Sequence, residues 1–422
     1  MTSSLNTYPK YKDSGVDWLR DIPSNWDVLP FKKIFRPSDE RVENTPSLDL
    51  ALSISGYRGV EPRNIDSMEG QMPSENIDKY RIVRKGQLAV NTMWLNYAGL
   101  GVSNYDGYIS PAYRAYNIDR VLDKQFAHHL LRSSRYVQKY SSLLYGLRPN
   151  SLQVKNDDFE KIEILVPPLE TQKSIASFLD VRTKAIDELI AKKEKLIKLL
   201  REKCQSLITQ VVTKGLDHKA KMKPSGAEWF DSIPSEWHTD KISSLFSFPN
   251  EKVSDVDFEP LSVTYGGVKK QVDDAAKTDH NDNRRRLKVG DIAFNGRSDR
   301  KGACGVSDFE GSISVVYHVL RPQRPVFIRY YHHLFRNTLF SQEFYRWGRG
   351  IHDDMWTTRE LEMKRIFVPV PPLETQKRIA IFLDIEVKKL DLAISMAISQ
   401  TEQLKEYRSS LIYSAVTGKI KI

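Results

Sequence analysis

The sequence predicts a mixed α/β (α+β) protein made twice over, two globular modules joined by two long antiparallel α-helices that pair within the chain as a coiled coil. Three observations predict it. The heptapeptide Pro167-Pro168-Leu169-Glu170-Thr171-Gln172-Lys173 returns as Pro371–Lys377, and twelve of fourteen positions agree between Pro167–Asp180 and Pro371–Asp384. Each copy leads into a long helical pattern free of proline and glycine. Ahead of each lies a segment of about 150 residues with short alternating strands and helical spacings. Such agreement within one chain is the mark of a tandem duplication.

In chain order, the first repeated element is an opening of small and aromatic residues. Ser14-Gly15-x-x-Trp18, then Ile22-Pro23-Ser24-x-Trp26, matches Ser225-Gly226-x-x-Trp229, then Ile233-Pro234-Ser235-x-Trp237, at an offset of 211. Leu52-Ser53-Ile54 then matches Leu261-Ser262-Val263, and from Gly86/Gly290 onward the offset is a constant 204. Residues 58–80 and 266–286 read as polar, irregular loops, and the second copy is seven residues shorter before the Gly86/Gly290 turn. Residues 87–91 and 291–295 alternate as short strands after that turn. Phe126–Leu143 and Tyr330–Trp347 have helical spacing. Residues 162–166 and 366–368 are strands that run into a Pro-Pro stop, because proline donates no backbone hydrogen bond and restricts its predecessor.

The long helix after the first stop carries Ile175, Leu179, Ile186, Leu189, Leu196, Leu200, Leu207 and Val211, a 3-4 spacing interrupted at Arg182 and Lys193. Its copy carries Ile379, Leu383, Val387, Leu390, Ile394, Ile398, Leu404 and Leu411. A single narrow apolar stripe needs a partner, and each helix is the natural partner of the other; pairing between two chains is the alternative. The expected boundaries are 1–166 and 217–370 for the modules and 167–216 and 371–422 for the helical regions.

Composition sets the class. The chain has 422 residues, 40% apolar and 28% charged, with a net charge of +10, which points to a soluble protein with a polyanionic partner. Two cysteines, Cys204 and Cys304, give no disulfide framework. The N-terminus lacks the apolar core of a signal peptide and no run approaches a membrane span, so a cytoplasmic location without membrane contact is expected.

Motifs for catalysis are missing. Thr417-Gly418-Lys419 lacks the upstream glycine and hydroxyl residue of a nucleotide loop, and Phe248-Pro249-Asn250 only superficially resembles an amino-methyltransferase box. No cysteine cluster or H-E-x-x-H suggests a metal site. His128-His129 and His332-His333 match between copies, but neighbours on a helix point about 100° apart and chelate poorly, so they read as packing residues. Asp353-Asp354 beside His352 faces Arg148-Pro149-Asn150 in the first copy, which favours a divergent contact loop over a catalytic carboxylate pair.

Basic residues interleaved with tyrosines remain: Arg58, Arg63, Arg81, Arg84 and Lys85 near Tyr97, Tyr105, Tyr108 and Tyr113, and Lys269, Lys270, Arg284–Arg286, Arg297, Arg300 and Lys301 near Tyr265. Arg and Lys neutralise phosphates, and Arg or Asn pair with base edges. The loops 146–153 and 350–357 are polar and differ between copies, as base readers would. The expected DNA contacts are Arg58, Arg63, Tyr97, Tyr105, Arg148, Asn150 and Gln153, and Lys269, Lys270, Arg285, Arg297, Arg300, Arg349, His352 and Trp356.

These paired openings, the Leu-Ser-Ile/Val strand and both Pro-Pro-Leu-Glu-Thr-Gln-Lys-x-Ile-Ala segments together resemble the DNA specificity subunit of type I restriction–modification enzymes, over essentially the whole chain. The resemblance implies two target recognition domains reading the halves of a bipartite, asymmetric duplex site, with the helices setting the unread spacer. It implies docking of two methyltransferase (modification) subunits and of restriction/translocase subunits. S-adenosylmethionine, ATP and Mg would sit on those partners, and no cofactor on this chain. Docking is expected at Glu170, Gln172, Ile175 and Phe178 and at Glu374, Gln376, Ile379 and Phe382, with shared helix-start packing as the alternative. The loops Arg148–Leu152 and His352–Trp356 share no pattern, so the family's base contacts cannot be carried over. Competing readings are a stand-alone DNA methyltransferase or nuclease with its own recognition domains, and a coiled-coil scaffold that does not touch DNA.

Overall fold

Alternating apolar residues in the first module form a four-stranded antiparallel sheet in the order Phe35–Ser38, Arg114–Ile118, Leu88–Val90, Leu100–Val102. The second module repeats the order with Phe246–Ser247, Tyr317–Pro322, Ile292–Asn295 and Cys304–Val306. The computed structural model describes residues 6–44, 50–63, 77–146, 152–271, 282–297, 302–350 and 356–422. They fall into two units, Met1–Lys193 with Ser399–Ile422, and Glu194–Ile398.

In the first unit the sheet packs on helices α1 (Lys124–Leu131) and α2 (Ser134–Ser142), with Leu88, Val90, Tyr116, Phe126, Leu130 and Tyr140 in one core. The long helix α3 (Leu169–Lys214) follows. In the second unit α4 (Ile328–Phe335) and α5 (Thr338–Arg346) take the places of α1 and α2, and α6 (Leu373–Val416) is the second long helix. The stretches of helical spacing, 126–143 and 330–347, thus each form two helices. At the first break the Ser133 hydroxyl donates to the Leu130 carbonyl (2.7 Å). At the second, Asn337 caps α5 by accepting from Leu339 N–H (2.7 Å), a side-chain alternative to helix continuation.

The Pro-Pro stops work as the sequence implies. Glu163–Val166 pairs antiparallel with Asp27–Pro30, and Phe367–Val370 with His238–Lys241; each strand ends at the prolines and a long helix begins. The opening tryptophans seal this junction. Trp18 Nε1 donates to Glu163 (2.9 Å) and Trp229 Nε1 to the Phe367 carbonyl (2.8 Å). The second tryptophan of each opening closes the end of a long helix. Gly418 (φ 69°), just past α6, lies against Pro23 and Trp26, and Gly215 (φ 76°), just past α3, lies against Trp237. A left-handed residue at that position terminates a helix, and glycine adopts it without a Cβ penalty.

Within the first unit the start of α3 packs antiparallel on the end of α6: Asp187 meets Arg408 and Lys193 meets Gln400. The second unit pairs the end of α3 with the start of α6. The buried or half-buried stripe on α3 runs Leu179, Thr183, Ile186, Ile190, Lys193, Ile197, Leu200, Cys204, Leu207, Val211, a strict heptad. Leu189 and Leu196, expected in the seam, are exposed, and their neighbours Ile190 and Ile197 take those places. Lys193, expected as an interruption, belongs to the seam. On α6 the expected Ile379, Leu383, Val387, Leu390, Ile394, Ile398, Leu404 and Leu411 are all buried or half-buried.

A second correction concerns the loops. Residues 58–80 and 266–286 open with strands Gly59–Pro62 and Gly267–Lys270, which form hairpins with Leu52–Ser55 and Leu261–Thr264. Arg284–Leu287 is a strand paired with Gly311–Ile313.

Candidate nucleic-acid interface

In the first unit the turn of the 52–62 hairpin meets the loop that follows Asn91. Gly56 lies so close to Tyr97 that a Cβ would overlap its carbonyl oxygen. The buried guanidinium of Arg132, at the end of α1, donates to the carbonyls of Gly56 (2.9 Å) and Ala98 (2.8 Å), and also to those of Ser55 and Leu100. Burial lowers its pKa to about 10, which leaves the cation charged at neutral pH. This junction displays Arg58, which pairs with Glu61 (3.6 Å), and the exposed rings of Trp94 and Tyr97, 5.8 Å apart. Val154 N–H donates to the Thr92 carbonyl (3.3 Å) and Gln153 pairs with Tyr145, so the end of the 146–153 loop returns to the same segment. Exposed aromatic and basic side chains on a frame of this kind suit stacking and phosphate contact.

The second unit brings together the corresponding pieces. Arg297 and Arg349 both bridge to Thr357 through their backbones, and Thr358 N–H donates to the Gly296 carbonyl (3.1 Å). The Arg297, Arg349 and Trp356 of the sequence reading therefore meet, though Trp356 Nε1 donates to the Tyr345 carbonyl (2.9 Å) and packs over Gly348. Exposed Lys269 and Lys270 sit at the end of the second hairpin, Lys270 pairing with Glu259 (2.9 Å). Arg336 repeats the role of Arg132 by donating to the Tyr265 carbonyl.

Several expected residues are occupied or apart. Arg285 is largely buried and pairs with Glu360 (3.5 Å), so it is not a free reader. Arg81 pairs with Asp39, Arg84 with Glu40, and Arg286 with Glu251 and Glu310; Arg284 is buried against Ser312. Tyr108 is buried. Arg63 lies beyond the first hairpin, with its N–H donating to the Ala51 carbonyl (2.8 Å), and Tyr105 is exposed in the turn after Leu100–Val102. Arg148, Asn150, Arg300 and His352 lie outside the described residues. Trp94 and Arg132 were missed: the first stands in the apolar run Met93-Trp94-Leu95, which reads as core, and the second is not distinguishable in sequence from a surface charge.

The helix starts show what the shared heptapeptide does. The side chain of Gln172 is fully buried, accepting from Asp123 N–H (2.6 Å) and donating to the carbonyls of Val121 (3.0 Å) and Pro167 (2.8 Å). Gln376 does the same with Phe327 N–H and the Pro371 carbonyl, both at 2.8 Å. Ile175 and Ile379 are fully buried too. These four cannot face a partner, which corrects the docking expectation for them; Glu170, Glu374, Phe178 and Phe382 keep exposed or half-buried surface. The paired histidines are likewise structural. His129 bonds Asp180 (2.7 Å) and His333 bonds Asp384 (2.8 Å), while His128 and His332 accept from Val102 and Val306 N–H (3.3 Å each). Among the described residues no group of three or more His, Cys, Asp or Glu is placed to hold a metal, and no helix is long and apolar enough to cross a membrane.

A family profile for the type I restriction modification DNA specificity domain matches residues 101–199, the span from the sheet of the first unit into α3. A Methanocaldococcus jannaschii protein named as the MjaX specificity subunit of a type I restriction enzyme is 22% identical over 96% of both chains. These matches support a specificity subunit of a type I restriction–modification system. The EcoKI specificity subunit of Escherichia coli is 29% identical over 44% of this chain and 41% of that one. A chain solved in work on complex assembly and conformational transition of the type I restriction–modification system shares the fold, with a TM-score of 0.70 over 94% of this chain and 98% of that one at 16% identity. Specificity subunits are the non-catalytic, DNA-recognising members of their complexes.

Proposed function

We propose that each module reads one half of a bipartite, asymmetric duplex site and that α3 and α6 set the unread spacer between the halves. One observation carries this reading: the frame is kept between the two copies while the loops it presents differ, as two readers of different sequences require. Arg58, Tyr97 and Gln153 in the first module and Lys269, Lys270, Arg297 and Arg349 in the second are the contacts best supported by exposure, joined by Trp94. Two methyltransferase subunits, and restriction/translocase subunits, would bind the assembled chain in the cytoplasm, with S-adenosylmethionine, ATP and Mg on those partners. Approximate internal symmetry offers two identical partners equivalent surfaces, for which exposed Glu170 and Glu374 with Phe178 and Phe382 are the candidates. The test is a methylome of the host with and without the gene, then with residues 27–160 replaced by the module of a relative. One half-site should change and the other persist; a change in both halves would refute independent readers.

A further inference from the structure

The 204-residue offset also relates the long helices to each other. Asp187 of α3 corresponds to Asp391 of α6, and Arg408 of α6 corresponds to Cys204 of α3. In the first unit Arg408 holds Asp187 through two hydrogen bonds, Nε at 2.8 Å and Nη2 at 3.1 Å. The same carboxylate accepts from the hydroxyl of Tyr57 (2.6 Å), and the Arg408 guanidinium stands 5.1 Å from the Tyr57 ring. Tyr57 belongs to the hairpin turn that Arg132 grips from inside, so the turn is held by the module on one side and by the helix pair on the other. In the second unit Cys204 supplies no guanidinium. A cavity of about 1200 Å³ lies there, lined by Cys204, Asp391, Tyr265 and Arg336 among others, and Tyr265, the tyrosine of the second turn, is 58% exposed.

We propose that Arg408 is a positioning residue for the first recognition module, fixing the turn at Tyr57 through Asp187, and that the second module has no such brace among the described residues. The proposal rests on the half-site reading above. A turn held before DNA arrives loses less freedom on binding, which sharpens its response to a wrong base. The end of α6 therefore serves the first half-site although it follows the second module in sequence.

The experiment uses the full chain assembled with its modification subunits. The probes are a duplex carrying the sequence the complex methylates in its host and duplexes altered in one half only. Tyr57→Phe removes a single hydroxyl, and Arg408→Cys installs the residue of the second unit. Each should lower discrimination at the first half-site by about three- to tenfold, with the double variant no worse than either single. Discrimination at the second half-site should not move. Wild-type discrimination at the first half-site in Tyr57→Phe would overturn the brace, as would equal losses at both halves accompanied by a lower melting temperature. If the unmodified complex itself fails to distinguish its two halves, the half-site reading falls, and that outcome shows before any substitution is made.

Discussion

Arg132 and the paired histidines show how much of each module depends on buried polar side chains. Arg132→Met would leave carbonyls at 55, 56, 98 and 100 without their donor, and a charged hydrogen-bond donor removed from a buried site costs about 3 kcal/mol. We expect a lower melting temperature together with weaker binding at the first half-site, since the turn and the loop after Asn91 lose their common anchor. The histidines predict acid lability. Burial, with Arg336 and His333 nearby, pushes His332 down to about 3, and burial also puts His128 well below its ordinary value. Below the ordinary value near 6.5 the unfolded chain takes up protons that the folded chain refuses, so stability falls progressively as pH drops from about 6.5 toward 3. Asp384 adds to the decline lower down: burial raises its pKa, but the bonds from Arg329 and His333 outweigh that and hold it below the ordinary carboxylate value. Replacing His128 and His332 with asparagine should flatten the melting temperature between pH 6.5 and 4; an unchanged slope would show that other groups control it.

The long helices make the sharpest prediction among the elements. Ile190 lies in the seam at 4% exposure while its neighbour Leu189 is 43% exposed. Ile190→Ala should cost about 2–4 kcal/mol in denaturant unfolding, and Leu189→Ala no more than about 0.5 kcal/mol. Equal effects would mean that the seam is misassigned. The sequence located these helices to within two residues at each start, because Pro-Pro before and glycine after are local signals. It misplaced the stripe by one residue at two positions, because adjacent leucine and isoleucine are equally apolar and only the partner helix decides which faces inward.

For the whole molecule the prediction concerns spacing. Inserting one heptad at the middle of both α3 and α6 keeps the seam in register and adds roughly 10 Å of helix, about three base pairs of duplex. The methylated sequence should keep both half-sites and gain a longer unread interval. Altered half-sites would refute the helices as the spacer, and an insertion in one helix alone should break the register and abolish assembly instead.

By itself the sequence determined the duplication, the strands and helices flanking each Pro-Pro stop, the absence of a catalytic motif and the family resemblance, because all of these are recorded in local spacing or in self-similarity. Tertiary structure alone decided which charges are exposed. Arg58 and Arg285 are equally basic in sequence, yet one is displayed on a turn and the other is buried against Glu360. It also decided that Gln172 and Gln376 hold their own modules together, since a buried side chain bonded to a helix start some fifty residues away leaves no trace in local pattern. A side chain's chemistry belongs to its residue type, but its availability depends on which groups the folded chain sets against it.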